Sequence, residues 1–125
     1  MSLRESYVSD LKNVPAKGRV FVMRHRGHDN LAPTAGLLAD FKRREAELKL
    51  AGLGGVAAHN QAWEDVRYEE RFAADFLANA AAADELKTIA RLAAREDVYL
   101  ICYEKPPKKC HRFLLLDYAR RLARP

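Results

Sequence analysis

The stretch that most constrains this chain is Asp97-Val98-Tyr99-Leu100-Ile101-Cys102-Tyr103-Glu104-Lys105-Pro106-Pro107-Lys108-Lys109-Cys110-His111-Arg112. Val98 to Tyr103 is apolar and aromatic without polar alternation, which fits a strand covered on both faces. Pro106 and Pro107 forbid further strand pairing and restrict the residue before each of them. Beyond the turn, His111, Leu114, Leu115, Tyr118, Ala119 and Leu122 recur at helical spacing, with Arg112, Asp117, Arg120, Arg121 and Arg124 mostly outside that stripe. The pattern predicts a buried strand, a proline turn and a C-terminal helix opening near Cys110.

That order locates chemistry. In an open parallel sheet, ligands sit beyond the carboxyl ends of the strands. Cys102 and Glu104 lie at such an end, and two residues apart on a regular strand they share a face. Cys110 falls near a helix N-terminus, where free N–H groups and the helix dipole favour anions and lower a thiol pKa. Lys109 and Arg112 would add to that field.

At 125 residues and 49% hydrophobic content, the chain suffices for one domain, residues 1–125, with a substantial core. No apolar run approaches the ~18 residues of a membrane span. The opening Met1-Ser2-Leu3-Arg4-Glu5 lacks the apolar segment of a signal peptide, so a cytoplasmic protein is the expectation. The two cysteines then read as thiols or ligands before they read as a disulfide. Net charge is +5, and from Lys105 to Pro125 seven Lys/Arg face one acid, Asp117. An anionic partner follows as one reading: nucleic acid, a nucleotide or another phosphorylated molecule. A solvated arginine-rich helix face is the other.

Along the chain, Ser6–Ser9 is a short strand candidate, and residues 10–18 read as a turn or brief helical segment closed by Gly18. Arg19 to Arg24 reads as a strand feeding a basic loop, Arg24-His25-Arg26-Gly27-His28-Asp29-Asn30. If that strand is parallel to 98–103, Arg24, His25 and Arg26 face the Cys110 junction. Thr34 is the expected N-cap of a helix with Leu37, Leu38, Phe41 and Leu48 inside. Leu53 to His59 reads as a glycine-rich loop. Asn60 to Ala80 reads as one long helical stretch in which Trp63, Val66, Ala73, Phe76 and Leu77 form one stripe, with Tyr68 and Phe72 alongside. Asp84 is the expected cap of the helix that follows. The fold class is a single α/β domain: a small, mainly parallel sheet of three or four strands with helices on both faces.

For function, the sharpest constellation is Cys110-His111-Arg112. One reading is an anion pocket with Cys110 as nucleophile or thiolate. Glu104 and His111 would then be base or orienter, and Arg112 and Lys109 anion clamps, with Cys102, Arg24 and Arg26 nearby. A second is a non-catalytic nucleic-acid-binding module using Arg120, Arg121, Arg124 and the lysines. A third is a fold staple in which Glu104 pairs with Arg112. The spacing C-x7-C-H matches no zinc pattern, so no metal site is expected, and His25, His28 and His59 would join only if folding brought them close. No phosphate loop, dinucleotide fingerprint or nucleophile elbow is present, and no cofactor is named by the residues.

These same residues carry a resemblance. Leu100-Ile101-Cys102-Tyr103-Glu104-Lys105-Pro106 followed by Cys110-His111-Arg112 resembles the ending of the small prokaryotic proteins catalogued as domain of unknown function 488. Their pattern is an apolar strand, C-x-E-x-x-P, then C-H-R opening the last helix. Ser6 to Pro15 and Leu31-Ala32-Pro33-Thr34 are similar to further elements of that family. The resemblance implies a compact α/β domain whose activity is unassigned.

Overall fold

The β-branched and aromatic run at 98–102 becomes the middle strand of the sheet. In a computed structural model that describes residues 2–122, β1 (Leu3–Tyr7), β2 (Arg19–Phe21) and β3 (Val98–Cys102) form a three-stranded parallel sheet in the order β1-β3-β2. β3 is paired on both edges, which is why it tolerates no polar alternation: Val98, Leu100, Ile101 and Cys102 are all buried. Tyr7 stands opposite Cys102 and Phe21 opposite Ile101, so all three strands end at one edge. The Val22 N–H extends the β2 pairing with a hydrogen bond to the Ile101 carbonyl at 2.9 Å. The first strand thus lies earlier than Ser6–Ser9, and the second is shorter than Arg19 to Arg24.

A 3₁₀ helix, Val8–Asn13, follows β1, and Gly18 turns the chain into β2. Gly18 has φ +90°, and a Cβ there would lie 2.3 Å from the Asp97 carbonyl oxygen, so the approach of these two segments requires glycine. The crossover from β2 to β3 carries four helices: α1 (Ala35–Leu50), α2 (Gly55–Asp65), α3 (Tyr68–Leu77) and α4 (Ala80–Ala93). After β3 the proline turn leads to α5 (His111–Leu122).

Thr34 caps α1 as its sequence implies, its hydroxyl accepting from the Leu37 N–H at 3.2 Å. Three expectations are corrected. Leu53 to His59 is not a loop: α2 begins at Gly55, behind a Gly54 cap that offers no side-chain hydrogen bond. The long helix over 60–80 is broken after Asp65, where Arg67 adopts a left-handed conformation with φ +56°. Asn79, not Asp84, caps α4, its side chain accepting from the Ala82 N–H at 3.3 Å.

α4 and α5 pack on β3, and α5 reaches β1 as well. The core runs from Val98 and Leu100 through Leu31, Leu86 and Leu115 to the aromatic group Phe41, Trp63, Tyr68 and Phe72. Cys102 shares the strand face of Val98 and Leu100 and so points into this core at its carboxyl end. Among the described residues, no helix is long and apolar enough to cross a membrane.

Candidate functional site

Three segments meet at the carboxyl edge of the sheet. Cys102 is the last residue of β3, Cys110 ends the proline turn, and His111 opens α5. The turn folds back on itself, so residues eight and nine positions later return to the strand end. His111 Nδ1 lies 3.8 Å from Cys102 Sγ and 3.7 Å from Cys110 Sγ. The other ring nitrogen, Nε2, is 2.8 Å from the carbonyl oxygen of Val22, just past β2. That carbonyl can only accept, so Nε2 carries a proton, and Nδ1 is the ring nitrogen that faces both sulfurs. All three side chains are buried.

The two thiols differ in acidity, and in the opposite sense to the helix-start argument. Burial pushes the Cys110 thiol up, and its hydrogen bond with Cys102 adds to the rise; His111 offsets only part of it. Cys102 is lowered by that hydrogen bond from Cys110, against its own burial, with the backbone N–H groups of Tyr103 and Glu104 and the Arg112 charge assisting. A helix dipole acts through its first turn, and here desolvation of an enclosed sulfur outweighs it.

Above the sulfurs opens a cavity of about 200 Å³. Phe41, Trp63 and Tyr68 line it together with Cys102, Cys110 and His111. Trp63 and Tyr68 stack with ring centroids 3.8 Å apart, and Phe41 meets both edge-on. The aromatic stripe is thus core on one side and cavity wall on the other. Burial raises the Tyr68 hydroxyl pKa, and nearby Cys110, Cys102 and Glu104 add to the rise, so this phenol stays protonated.

Charged groups ring the cavity. Arg24 donates from Nη2 to the Pro33 carbonyl at 2.9 Å, while its Nε is buried without a hydrogen-bond partner. Among the described residues, neither Arg24 nor Lys42 has a carboxylate partner. Lys109 also lines the cavity, but its ammonium is paired with Glu64. His59 is enclosed in the wall: Nε2 donates to the Lys109 carbonyl at 2.6 Å, and Nδ1 faces Glu45 at 3.2 Å and Glu104 at 4.0 Å. Glu104 also lies 3.8 Å from Lys108 Nζ.

Other sequence-predicted residues fall elsewhere. Arg112 is not an exposed clamp: it is fully buried, with Nε donating to Glu5 Oε2 at 2.7 Å and Nη1 to the Glu104 carbonyl at 2.6 Å. It ties β1 and the proline turn to α5, a staple whose carboxylate is Glu5 and not Glu104. Arg26 leaves the cavity and lies over the Phe21 ring at 4.4 Å. His28 pairs with Glu85 at 2.7 Å, and His25 lies 3.9 Å from Asp29. On α5, Arg121 pairs with Asp117 at 2.9 Å, and Arg124 lies outside the described residues. Lys42 and Tyr68 carry no sequence signal as site residues, and His59 carries only that of a conditional metal ligand. Their positions come from α1, α2 and α3, whose convergence on the turn has no local signal.

The local spacing carries no zinc pattern, yet Sγ of Cys102, Sγ of Cys110 and a ring nitrogen of His111 all lie within 4.8 Å of one another. Comparison with known proteins adds one finding. A family model described as "Active DUF488-N3 subclade" matches residues 23–121, which include β3, the proline turn and all cavity-lining residues named above. No curated protein and no solved structure gives a significant match.

Proposed function

We propose, from the premise that this chain belongs to the DUF488 family, that the cavity takes a small anionic ligand derived from a nucleotide or nucleic acid. Cys102, Cys110 and His111 would supply cysteine-dependent chemistry at its floor. The observation that carries the anion reading is Arg24. Arg24 lines the cavity with no carboxylate partner among the described residues, and an anion at the rim would balance its guanidinium charge. Lys42 adds a second uncompensated cation, and the three aromatic side chains suit a planar group. Size favours one unit over a polymer. Drug-sized ligands occupy about 300–1,000 Å³, and about 200 Å³ accommodates a single ring system with its charged group at the mouth.

Within this reading the thiolate belongs to Cys102, and Cys110 is its hydrogen-bond donor. Glu104 would be the carboxylate that takes or returns a proton, a reading supported by its 4.0 Å approach to His59 at the cavity wall. Calorimetric titration with nucleoside 5′-monophosphates and with the parent nucleosides tests the assignment. Monophosphates are expected to bind more tightly, and Arg24→Ala to weaken them about tenfold or more, the worth of one charged hydrogen bond. Equal affinity for nucleoside and monophosphate, or an Arg24→Ala variant that binds as the wild type does, would overturn it.

A further inference from the structure

We infer that Cys102, Cys110 and His111 form a zinc-binding site with one coordination position open to the cavity. Tetrahedral zinc with Zn–S near 2.3 Å and Zn–N near 2.0–2.1 Å separates sulfur and nitrogen ligands by about 3.6 Å. The two observed separations are 3.7 and 3.8 Å. Two sulfurs and one imidazole nitrogen, all within 4.8 Å of one another, thus stand close to the spacing that a single bridging ion requires. The second ring nitrogen is also fixed as in protein metal sites: Nε2–H donates to the Val22 carbonyl, which holds the ring and commits Nδ1 to the sulfurs. Two sulfurs and one imidazole form a soft donor set, which selects zinc over magnesium or calcium.

The binding step balances simply. A divalent zinc ion displaces the two thiol protons, Cys102 and Cys110 become thiolates, the His111 ring stays neutral, and two protons go to solvent. The resulting unit has no net charge, which lowers the cost of keeping it in a buried site. The set of three protein ligands is the one that leaves a fourth position for water or substrate; structural sites close all four. All three ligand residues line the cavity, so that position faces it. The metal site itself stands on the three ligand atoms. With the ion bound, Cys102 and Cys110 act as its ligands and not as nucleophile and donor; that the open position serves an anionic ligand rests on the cavity reading proposed above.

The test uses the purified full chain. It is stripped with a chelator and titrated with zinc and then, separately, with cobalt(II). The expected result is one metal per chain, with cobalt giving a thiolate-to-metal charge-transfer band and the intense visible bands of a tetrahedral centre. Cys102→Ser and His111→Ala should lose stoichiometric uptake, while Arg24→Ala should keep it and lose only nucleotide affinity. Because cobalt titration of the wild type needs no variant, a misfolded mutant does not blunt the test. Uptake without the sulfur charge-transfer band, no stoichiometric uptake, or uptake that survives Cys102→Ser would overturn the zinc site. Failure of nucleotide binding alone would overturn the ligand reading and leave the metal intact.

Discussion

Replacing Arg112 with Met separates a staple from an anion clamp. The side chain is wholly buried and makes two charge-assisted hydrogen bonds, to Glu5 at 2.7 Å and to the Glu104 carbonyl at 2.6 Å. Its guanidinium carbon also lies 4.4 Å from the centre of the Phe113 ring. Removing one partner of a buried ion pair costs about 3–5 kcal/mol, chiefly because the other charge is stranded. Glu5 is 30% exposed and can rehydrate, so the low end, about 3 kcal/mol, applies. With a urea slope of about 2 kcal/mol per molar, the unfolding midpoint should fall by about 1.5 M. With an unfolding entropy near 2 cal/mol/K per residue, the Tm of this chain should fall by about 10 °C. Adding Glu5→Leu should recover part of the loss, since removing both charges leaves nothing stranded. The assay is equilibrium urea unfolding followed by circular dichroism. A midpoint within about 0.2 M of wild type, together with lost ligand affinity, would refute the staple and restore Arg112 as a clamp.

Other consequences follow from the same geometry. Gly18→Ala should cost about 2 kcal/mol or more in a thermal melt, because its φ of +90° and the Asp97 carbonyl 2.3 Å from a Cβ cannot both be accommodated. Asn79→Ala should cost about 1 kcal/mol through loss of the α4 cap, whereas Asp84→Ala, at an exposed position inside the helix, should stay within about 0.5 kcal/mol of wild type. Zinc affinity should climb with pH, by between about tenfold and hundredfold per unit for one or two displaced protons; flat affinity between pH 5 and about 7 would contradict thiolate ligation.

Much of the site could be read before folding, and the failures have physical causes. The apolar run at 98–102, the two prolines and the following helical stripe are local signals, and they placed Cys102, Glu104, Cys110 and His111 at one sheet edge. Thr34 was likewise legible, because a cap acts within three residues. Arg112 was not: its partner Glu5 lies on β1, at the far end of the chain, and only the parallel pairing of β1 with β3 joins them. Which thiol is the more acidic was also hidden, since the answer turns on the enclosure of Cys110 by residues distant in sequence. His59 escaped because Gly52, Gly54 and Gly55 read as a loop while α2 starts among them. The sulfur–imidazole cluster has no recognisable spacing because its ligands are gathered by a strand end and a turn, and not by a zinc-knuckle motif.

Aromatic walls, a cationic rim and a sulfur floor enclose the cavity to which an anionic ligand is assigned. Trp63 is the only tryptophan in the chain and it lines that cavity, so its emission reports occupancy directly. Titrating the protein with a nucleoside 5′-monophosphate should change Trp63 fluorescence saturably, with the change shifted to higher concentration in Arg24→Ala. Emission that stays constant through millimolar nucleotide, or that responds identically in the two proteins, would contradict the account.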